Sequence, residues 1–200
     1  MNDVYAGAAA AALHSPGRPV EPWPSRVGRA VMSYLPDTPA LYDDLSDRTV
    51  LEQHLAVNLF GPWTLTQAFL PLLTRSHGAI VNVVSLAGAA ALPIVPSYSV
   101  SKAASLSLSQ SLRALLAPRG VSVHAVLAGP MNTEMSRDLA VPKASTESVA
   151  RAILDAVHEG EDDIFPDPMS ATLAESWRTS AVKEMERQNA AVVAAAPIAE

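Results

Sequence analysis

The sequence contains no cysteine. This absence excludes disulfide bonds, thiolate nucleophiles and cysteine-liganded zinc sites, and it suits a reducing cytoplasm, where we expect the protein to reside. Positive charge is also scarce, with 14 basic against 20 acidic side chains and a net charge of −6 in 200 residues. The lysines and arginines do not cluster on one predicted helix, so we expect neither nucleic acid nor an anionic membrane as a partner.

Long apolar runs are missing as well. No stretch approaches the roughly 18 uninterrupted apolar residues of a membrane span, and the N-terminus lacks a basic region followed by an apolar core. The hydrophobic fraction of 49% is nevertheless enough for a buried core, and the length suits one domain. We therefore expect a soluble, single-domain protein.

Patterns typical of metal sites are absent too. The five histidines are scattered without partners at ligand spacing, so no metal site is predicted, and His54 and His124 are interpreted as structural residues. Asp162, Asp163 and Asp167 could suggest a cation site, but a solvated strand edge is the simpler interpretation.

Hydrophobic periodicity is missing from the first 33 residues. Pro16, Pro19, Pro22 and Pro24 lie there among charges and glycines, and proline removes backbone donors and fixes φ. We expect residues 1–33 to be disordered or non-native-like, 34–188 to form the folded domain, and 189–200 to be a flexible tail. The composition before Ala30 also motivates the hypothesis that this segment comes from a frameshift or a misassigned start.

From residue 34 onward, the sequence alternates between helical patterns and buried strands. The run AIVNVV at 79–84 is apolar on both faces, which is typical of the centre of a parallel sheet covered by helices. The alternation of strands and helices predicts an α/β fold with such a sheet. The predicted elements are a helix at 48–75 with kinks at Gly61-Pro62 and Pro71, a strand at 79–84, a loop at 86–96, a helix at 97–116, a strand at 121–127, a helix at 146–159, a short strand at 163–165 and a polar helix at 170–188.

Polar residues in the middle of the chain form a pattern with chemical meaning. Tyr98 and Lys102 are four residues apart on a predicted helix and therefore share one face. A neighbouring ammonium lowers the pKa of a phenol, which lets a tyrosine exchange a proton with a carbonyl or alcohol oxygen. Ser85 follows a buried strand, where ligands of α/β sheets bind, and its hydroxyl could hold the same oxygen. A Tyr-x-x-x-Lys pair alone is a weak signal, but Ser85 and the polar Asn58 within an apolar helical segment strengthen it.

Taken in order, these residues and their neighbours resemble the short-chain dehydrogenase/reductase family from about residue 51 to residue 133. The matching motifs are Asn58 in VNLFG, Ser85 in IVNVVSLAG, Tyr98 and Lys102 in YSVSK, and Gly129 to Thr133 in AGPMNT. The resemblance implies a Rossmann-like sheet with flanking helices. It also implies hydride transfer between an NAD(P)(H) cofactor and a small-molecule carbonyl or alcohol substrate.

The resemblance assigns a role to each matching residue. Tyr98 would donate or accept the proton, Lys102 would promote its ionisation and bind the nicotinamide ribose, and Ser85 would orient the substrate oxygen. Asn58 would support a water-linked proton relay. Thr133 would contact the nicotinamide carboxamide.

The cofactor-binding motifs match only in part. The usual Pro-Gly of the family's loop is Ala128-Gly129 here, with Pro130 following, and the resemblance places Gly129 and Pro130 in the cofactor site. The family's N-terminal turn, G-x-x-x-G-x-G, is absent, because the closest two of the nine glycines, Gly120 and Gly129, are nine residues apart. We therefore expect an incomplete Rossmann-like sheet without its N-terminal strands, and weak or absent cofactor binding.

Three interpretations of function are open at this point. The chain is an NAD(P)-dependent oxidoreductase, a truncated and inactive pseudoenzyme that retains the site residues, or an interaction module. The third interpretation uses the helices at 48–75 and 97–116, which resemble those through which the family dimerises. On that basis we expect a homo-oligomer or pairing with an intact relative.

Overall fold

Four parallel strands form one sheet in the part of the chain that the structure describes. The computed structural model describes residues 30–33, 48–134 and 136–195, and for 30–33 it describes the backbone alone. The strands lie side by side in chain order, each parallel to its neighbours, as β1 (Ala30–Ser33), β2 (Ala79–Val83), β3 (Ser122–Val126) and β4 (Asp163–Ile164). The predicted α/β fold with a parallel sheet is therefore confirmed.

The helices connect these strands and extend beyond the last one. They are α1 (Arg48–Leu55), a π turn (Ala56–Phe60), α2 (Gly61–Ser76), α3 (Leu86–Ala89), α4 (Pro96–Leu116), a 3-10 turn (Ala117–Arg119), α5 (Thr146–Glu159), α6 (Pro168–Ala171), α7 (Ala174–Arg178) and α8 (Ala181–Ala195). The predicted helix at 170–188 is thus three helices. One break occurs because the Ser180 hydroxyl accepts a hydrogen bond from the Lys183 N–H at 3.1 Å and so begins α8 anew.

Two boundaries differ from the sequence-based division of the chain. β1 lies at the end of the segment predicted to be irregular, and its backbone pairs with β2 from Ala30 opposite Ala79 onward. At the other end, α8 continues to Ala195, well into the predicted tail, because its alanine-rich last turns favour helix. Residues 1–29, 34–47 and 196–200 lie outside the described residues, so the rest of that division stays a prediction.

Buried apolar side chains cover both faces of the sheet. On one face, Ile80 and Val123 pack against Leu112 of α4. On the other face, Val81 and Val126 pack against α5. Because both faces of the sheet are buried, the strands have nearly continuous apolar sequences. Across the described ranges, we find no helix with the length and apolar character needed to span a bilayer.

A buried ionic network anchors α8 to the sheet. The Asp163 carboxylate accepts hydrogen bonds from Arg113 Nη2 at 2.8 Å, from Lys183 Nζ at 2.7 Å and from Trp177 Nε1 at 2.7 Å. Burial alone would raise the pKa of Asp163, but the Arg113 and Lys183 charges and these hydrogen bonds outweigh it and lower the pKa below its ordinary value. The interpretation of this region as a solvated strand edge is therefore wrong for Asp163 and for the equally buried Asp167. Only the Asp162 side chain, 56% exposed, fits it.

His124 lies in the centre of β3 and is buried. Its Nδ1 lies 2.6 Å from the carbonyl oxygen of Glu161, to which it donates as an N–H, while Nε2 is buried without a hydrogen-bond partner among the described residues. Burial lowers the pKa of His124 below the ordinary value of 6.5, because the charged imidazolium would lose its hydration. The folded chain therefore holds this histidine neutral.

The titration of His124 should make the fold less stable in mild acid. As the pH falls below about 6.5, the unfolded chain binds a proton at this position before the folded chain does, so stability is full above that pH and decreases below it. We expect the free energy of unfolding to drop more between pH 7.5 and pH 5.5 in the wild type than in His124→Asn, which keeps a donor for Glu161. Urea unfolding at both pH values measures this difference, and equal losses in the two proteins would contradict it.

Candidate active site

Asn58 lies within the π turn that separates α1 from α2. The wider turn is closed by the Gly61 N–H, which donates to the carbonyl oxygen of Ala56 five residues earlier. Asn58 is buried, and its Nδ2 donates to the Ser101 hydroxyl of α4 at 3.0 Å. The Ser101 hydroxyl in turn donates to the carbonyl oxygen of Tyr98 at 2.7 Å. A chain of hydrogen bonds thus links the π turn to the backbone of the candidate catalytic tyrosine.

Tyr98 and Lys102 lie one turn apart in the first half of α4, as predicted. The Lys102 Nζ is 5.5 Å from the centre of the Tyr98 ring. Lys102 is buried, and its Nζ donates to the carbonyl oxygen of Val83 at 3.2 Å. The ammonium group is therefore held between the Tyr98 ring and the carboxyl end of β2.

His54 contacts the same tyrosine from α1. Its ring and the Tyr98 ring are 5.9 Å apart between centroids and inclined at 74°, an edge-to-face arrangement. His54 and Asn58 are four residues apart, and both are buried. Both contact α4, His54 through the Tyr98 ring and Asn58 through the Ser101 hydroxyl. Sequence reasoning missed His54 and Ser101 as parts of the site, and their only signal is helical spacing from Asn58 and from Tyr98.

Ser85 lies just beyond the carboxyl end of β2. Its backbone is extended, and its hydroxyl accepts the Ala87 N–H at 3.1 Å, which caps α3. Because the hydroxyl oxygen accepts in this contact, its hydrogen can be donated to a substrate oxygen. The short helix α3 occupies part of the segment predicted as a loop at 86–96, and this capping bond explains why it forms.

Gly88 brings α3 against α4 beside the site. A Cβ atom at Gly88 would lie 2.7 Å from the carbonyl oxygen of Lys102, which is backbone and cannot move aside. Only glycine permits this approach, which holds the Ser85 segment next to the turn of α4 that carries Lys102.

The segment Gly129, Pro130 and Thr133 follows β3 at the same edge of the sheet. The Gly129 N–H donates to Asp167 Oδ2 at 2.7 Å, and a Cβ at Gly129 would lie 2.7 Å from Asp167 Oδ1. The Pro130 carbonyl accepts the N–H of Ala144 at 3.1 Å, and the Thr133 N–H donates to Ser136 Oγ at 3.3 Å.

Asp167 is a further residue whose place in the site sequence reasoning missed. Besides Gly129, its buried carboxylate accepts hydrogen bonds from the N–H groups of Met169 and Ser170, both at 3.0 Å, and from the Ser170 hydroxyl at 2.7 Å. It therefore caps α6 and fixes the loop after β3 with the same carboxylate. Its signal in the sequence is the Asp-Pro pair that begins α6.

The structure thus places the predicted site residues in two groups. In the first group, Asn58 is linked to Tyr98 through Ser101, and Lys102 lies over the Tyr98 ring. In the second group, Ser85 and the loop from Gly129 to Thr133 lie at the same edge of the sheet because they follow the parallel strands β2 and β3. Among the described residues, no group of three or more histidines, aspartates or glutamates could hold a metal ion.

Known proteins resemble this chain across the site. A family model described as short chain dehydrogenase matches residues 37–143. The chain is 44% identical over 92 residues to Short-chain dehydrogenase PC-15 of Penicillium crustosum, which covers 46% of this chain and 32% of that protein. It is 39% identical over 88 residues to 17-beta-hydroxysteroid dehydrogenase type 2 of Homo sapiens, covering 44% of this chain and 23% of that protein. The matched segments therefore span a third or less of these relatives' own lengths.

Solved structures extend the similarity to most of the chain. A short chain dehydrogenase from Burkholderia cenocepacia J2315, solved in complex with NADP, is 32% identical with a TM-score of 0.68, covering 79% of this chain and 69% of that chain. A short-chain dehydrogenase from Sphingobium yanoikuyae in complex with NADPH has a TM-score of 0.66 over 86% of this chain and 66% of that chain. Its identity of 24% supports the likeness in fold alone.

Proposed function

The chain belongs to the short-chain dehydrogenase family, and we propose that it is an NAD(P)(H)-dependent oxidoreductase acting on a carbonyl or alcohol substrate. The observation that carries this proposal is the Tyr98 and Lys102 pair at the carboxyl edge of the sheet. The Lys102 ammonium is buried and held by the carbonyl of Val83 beside the phenol. A lysine with only a structural role would extend from a solvated helix face into water and would not be buried beside the phenol.

Each residue of the site has its own role in the proton transfer. In the direction of reduction, the Tyr98 hydroxyl donates its proton to the carbonyl oxygen, and in oxidation the phenolate takes it back. Lys102 stabilises the phenolate by its charge, and Ser85 donates a hydrogen bond to the same substrate oxygen. Asn58 holds Ser101, and through it the backbone of Tyr98, so that the phenol keeps its position.

The residues present fit the nicotinamide end of the cofactor. Lys102 supplies a donor for the ribose hydroxyls, and the loop from Gly129 to Thr133 lies at the edge where dinucleotides bind in such sheets. Asp167 holds this loop in place through the Gly129 N–H. The sequence contains no G-x-x-x-G-x-G turn, so none of its residues is assigned to the pyrophosphate. When bound, the cofactor supplies or accepts the hydride.

Thermal unfolding with NADPH and with NADH tests the proposal. A nucleotide that binds the folded chain raises its Tm, since a ligand at 100 times its Kd adds about 2.7 kcal/mol of stability. We expect the Tm to rise only when the nucleotide is present at millimolar concentration. Lys102→Met should lose most of it, whereas Arg119→Met, which removes an exposed cation beyond α4, should keep it. An unchanged Tm with both nucleotides would rule out the proposed activity for this chain, and an equal shift in Lys102→Met would rule out the role of Lys102.

A second candidate function is pairing with another chain of the same fold. The surface of the π turn, α2 and α4 carries large apolar side chains that are between 42% and 58% exposed, namely Phe60, Trp63, Leu72, Val100 and Leu115. Such side chains on adjoining helices favour a helix-mediated dimer or pairing with an intact relative. Sedimentation velocity should then show a dimer that Leu72→Glu dissociates. A wild type that is monomeric at every concentration would exclude pairing with itself.

A further inference from the structure

Three segments converge on the edge that carries Tyr98 and Ser85. Residues 84–95 follow β2, residues 127–145 follow β3, and residues 165–173 follow β4. Since all four strands are parallel, these segments leave the sheet at one edge. The third segment is fixed against the second, because Asp167 accepts the Gly129 N–H and a Cβ at Gly129 would lie 3.3 Å from the Cβ of Met169.

The first segment is fixed to α4 next to Tyr98. The Leu92 N–H donates to the hydroxyl of Ser99 at 3.0 Å, and the same hydroxyl lies 3.3 Å from the Leu92 carbonyl oxygen, to which it can donate. Ser99 is buried and directly follows Tyr98 in α4. Leu92 is therefore bound to the residue that directly follows the candidate catalytic tyrosine.

Each of the three segments exposes large apolar side chains. These side chains are between 42% and 56% exposed, and they are Leu92 and Ile94 after β2, Val141 after β3, and Met169 and Leu173 after β4. A single exposed apolar residue is ordinary on a protein surface. Five at one edge, in segments that follow adjacent strands, are typical of a binding surface.

The same edge offers little charge to a ligand. Residues 78–101 and 125–133 contain no charged side chain. Of the buried charged side chains in the described ranges, those at this edge are Lys102, placed beside the phenol, and Asp167, whose carboxylate is occupied by four hydrogen bonds. In the loop after β3, Glu134 and Arg137 pair with each other at the surface, Asp138 is exposed, and Lys143 Nζ donates to the Arg137 carbonyl oxygen at 3.0 Å. The two buried charges at this edge are thus placed beside the phenol and in the loop anchor, so neither is positioned as a counter-charge for the body of a substrate.

We infer that the substrate is a bulky, uncharged and predominantly apolar ketone or secondary alcohol. Its body packs on the apolar side chains around Leu92, Ile94 and Met169, and its oxygen reaches Tyr98 and Ser85. This inference rests on the proposed oxidoreductase function, which it deepens by naming the class of substrate. The apolar side chains contribute binding free energy in proportion to the apolar area that the substrate removes from water.

Binding of two uncharged ketones tests the inference without requiring turnover. The probes are 2-decalone, which is bulky and apolar, and dihydroxyacetone, which is small and polar, and saturation-transfer NMR of the full chain measures binding of each. The double variant Leu92→Ser/Ile94→Ser should weaken 2-decalone binding about tenfold. The matched control Val182→Ser/Met185→Ser removes two exposed apolar side chains from α8 and should leave binding unchanged.

The outcomes separate this inference from the function on which it rests. Dihydroxyacetone binding as tight as that of 2-decalone, or equal loss in both double variants, would overturn the inference. Turnover with NADPH is then measured with both ketones. Reduction of dihydroxyacetone but not of 2-decalone would also overturn the inference while supporting the oxidoreductase function. Binding of 2-decalone that depends on Leu92 and Ile94, with no reduction of either ketone, would overturn the proposed function and support the apolar site.

Discussion

Replacing Tyr98 by phenylalanine should reduce turnover by about 10²- to 10⁴-fold, because the substitution removes the proton donor and nothing else from the site. The phenyl ring keeps the edge-to-face contact with His54 and its position beside Lys102. The backbone carbonyl of residue 98 still accepts the Ser101 hydroxyl. We therefore expect the Tm to change little, while the rate of ketone reduction falls to near the background rate.

The control for this prediction removes a hydroxyl from the opposite side of the same helix. Ser107 is exposed on α4, and Ser107→Ala should leave both turnover and Tm unchanged. Both variants are assayed by NADPH consumption with 2-decalone and by thermal unfolding. Turnover retained in Tyr98→Phe would refute the role of Tyr98 as proton donor, because no other change in the site would account for it.

Substituting Asp163 by asparagine should destabilise the fold by about 3 kcal/mol. The carboxylate binds Arg113, Lys183 and Trp177 in a buried setting, so its loss leaves two cations with less compensation. Glu186, another anion of the network, also accepts from Lys183 Nζ at 2.9 Å, which keeps the cost from being larger. Urea denaturation at pH 7 measures the free energy of unfolding.

The neighbouring aspartate provides a matched control. The Asp162 side chain is 56% exposed, whereas the Asp163 side chain is 2% exposed, so the ion pairs of Asp162 are screened by water. Asp162→Asn should cost less than about 1 kcal/mol. Adding Lys183→Met to Asp163→Asn should recover part of the loss, because it removes one uncompensated buried charge. Equal destabilisation by the two single variants would show that the network does not anchor α8.

Periodicity predicted most of the elements because each of them buries a regular stripe. The helix predicted at 146–159 is α5, which has the same bounds, with Ser145 as its N-cap and Gly160 as its C-cap. The two central strands were evident from β-branched runs that are apolar on both faces. The pair Tyr98 and Lys102 was evident because helical spacing alone brings two side chains together.

Features that depend on distant parts of the chain were not predictable in this way. The composition of residues 56–60 does not distinguish a π turn from the α-helices on either side. The wider turn is fixed by contacts with α4, which lies about 40 residues further along the chain. Asp162 and Asp163 are chemically identical neighbours, and the fold buries only the side chain of Asp163, which contacts Trp177 as well as Arg113 and Lys183. The same holds for Asp167, whose role at the site depends on Gly129, which lies in another loop.

The hydrogen bond between Asp167 and Gly129 also sets an order of events during synthesis. Gly129 leaves the ribosome well before Asp167, so the loop that follows β3 lacks its anchor until β4 and the start of α6 have been made. The Tyr98 side of the site is held by α1, the π turn, β2 and α4, which are translated earlier. A nascent chain that stops before Asp167 therefore lacks the carboxylate that holds the Gly129 N–H in the folded protein.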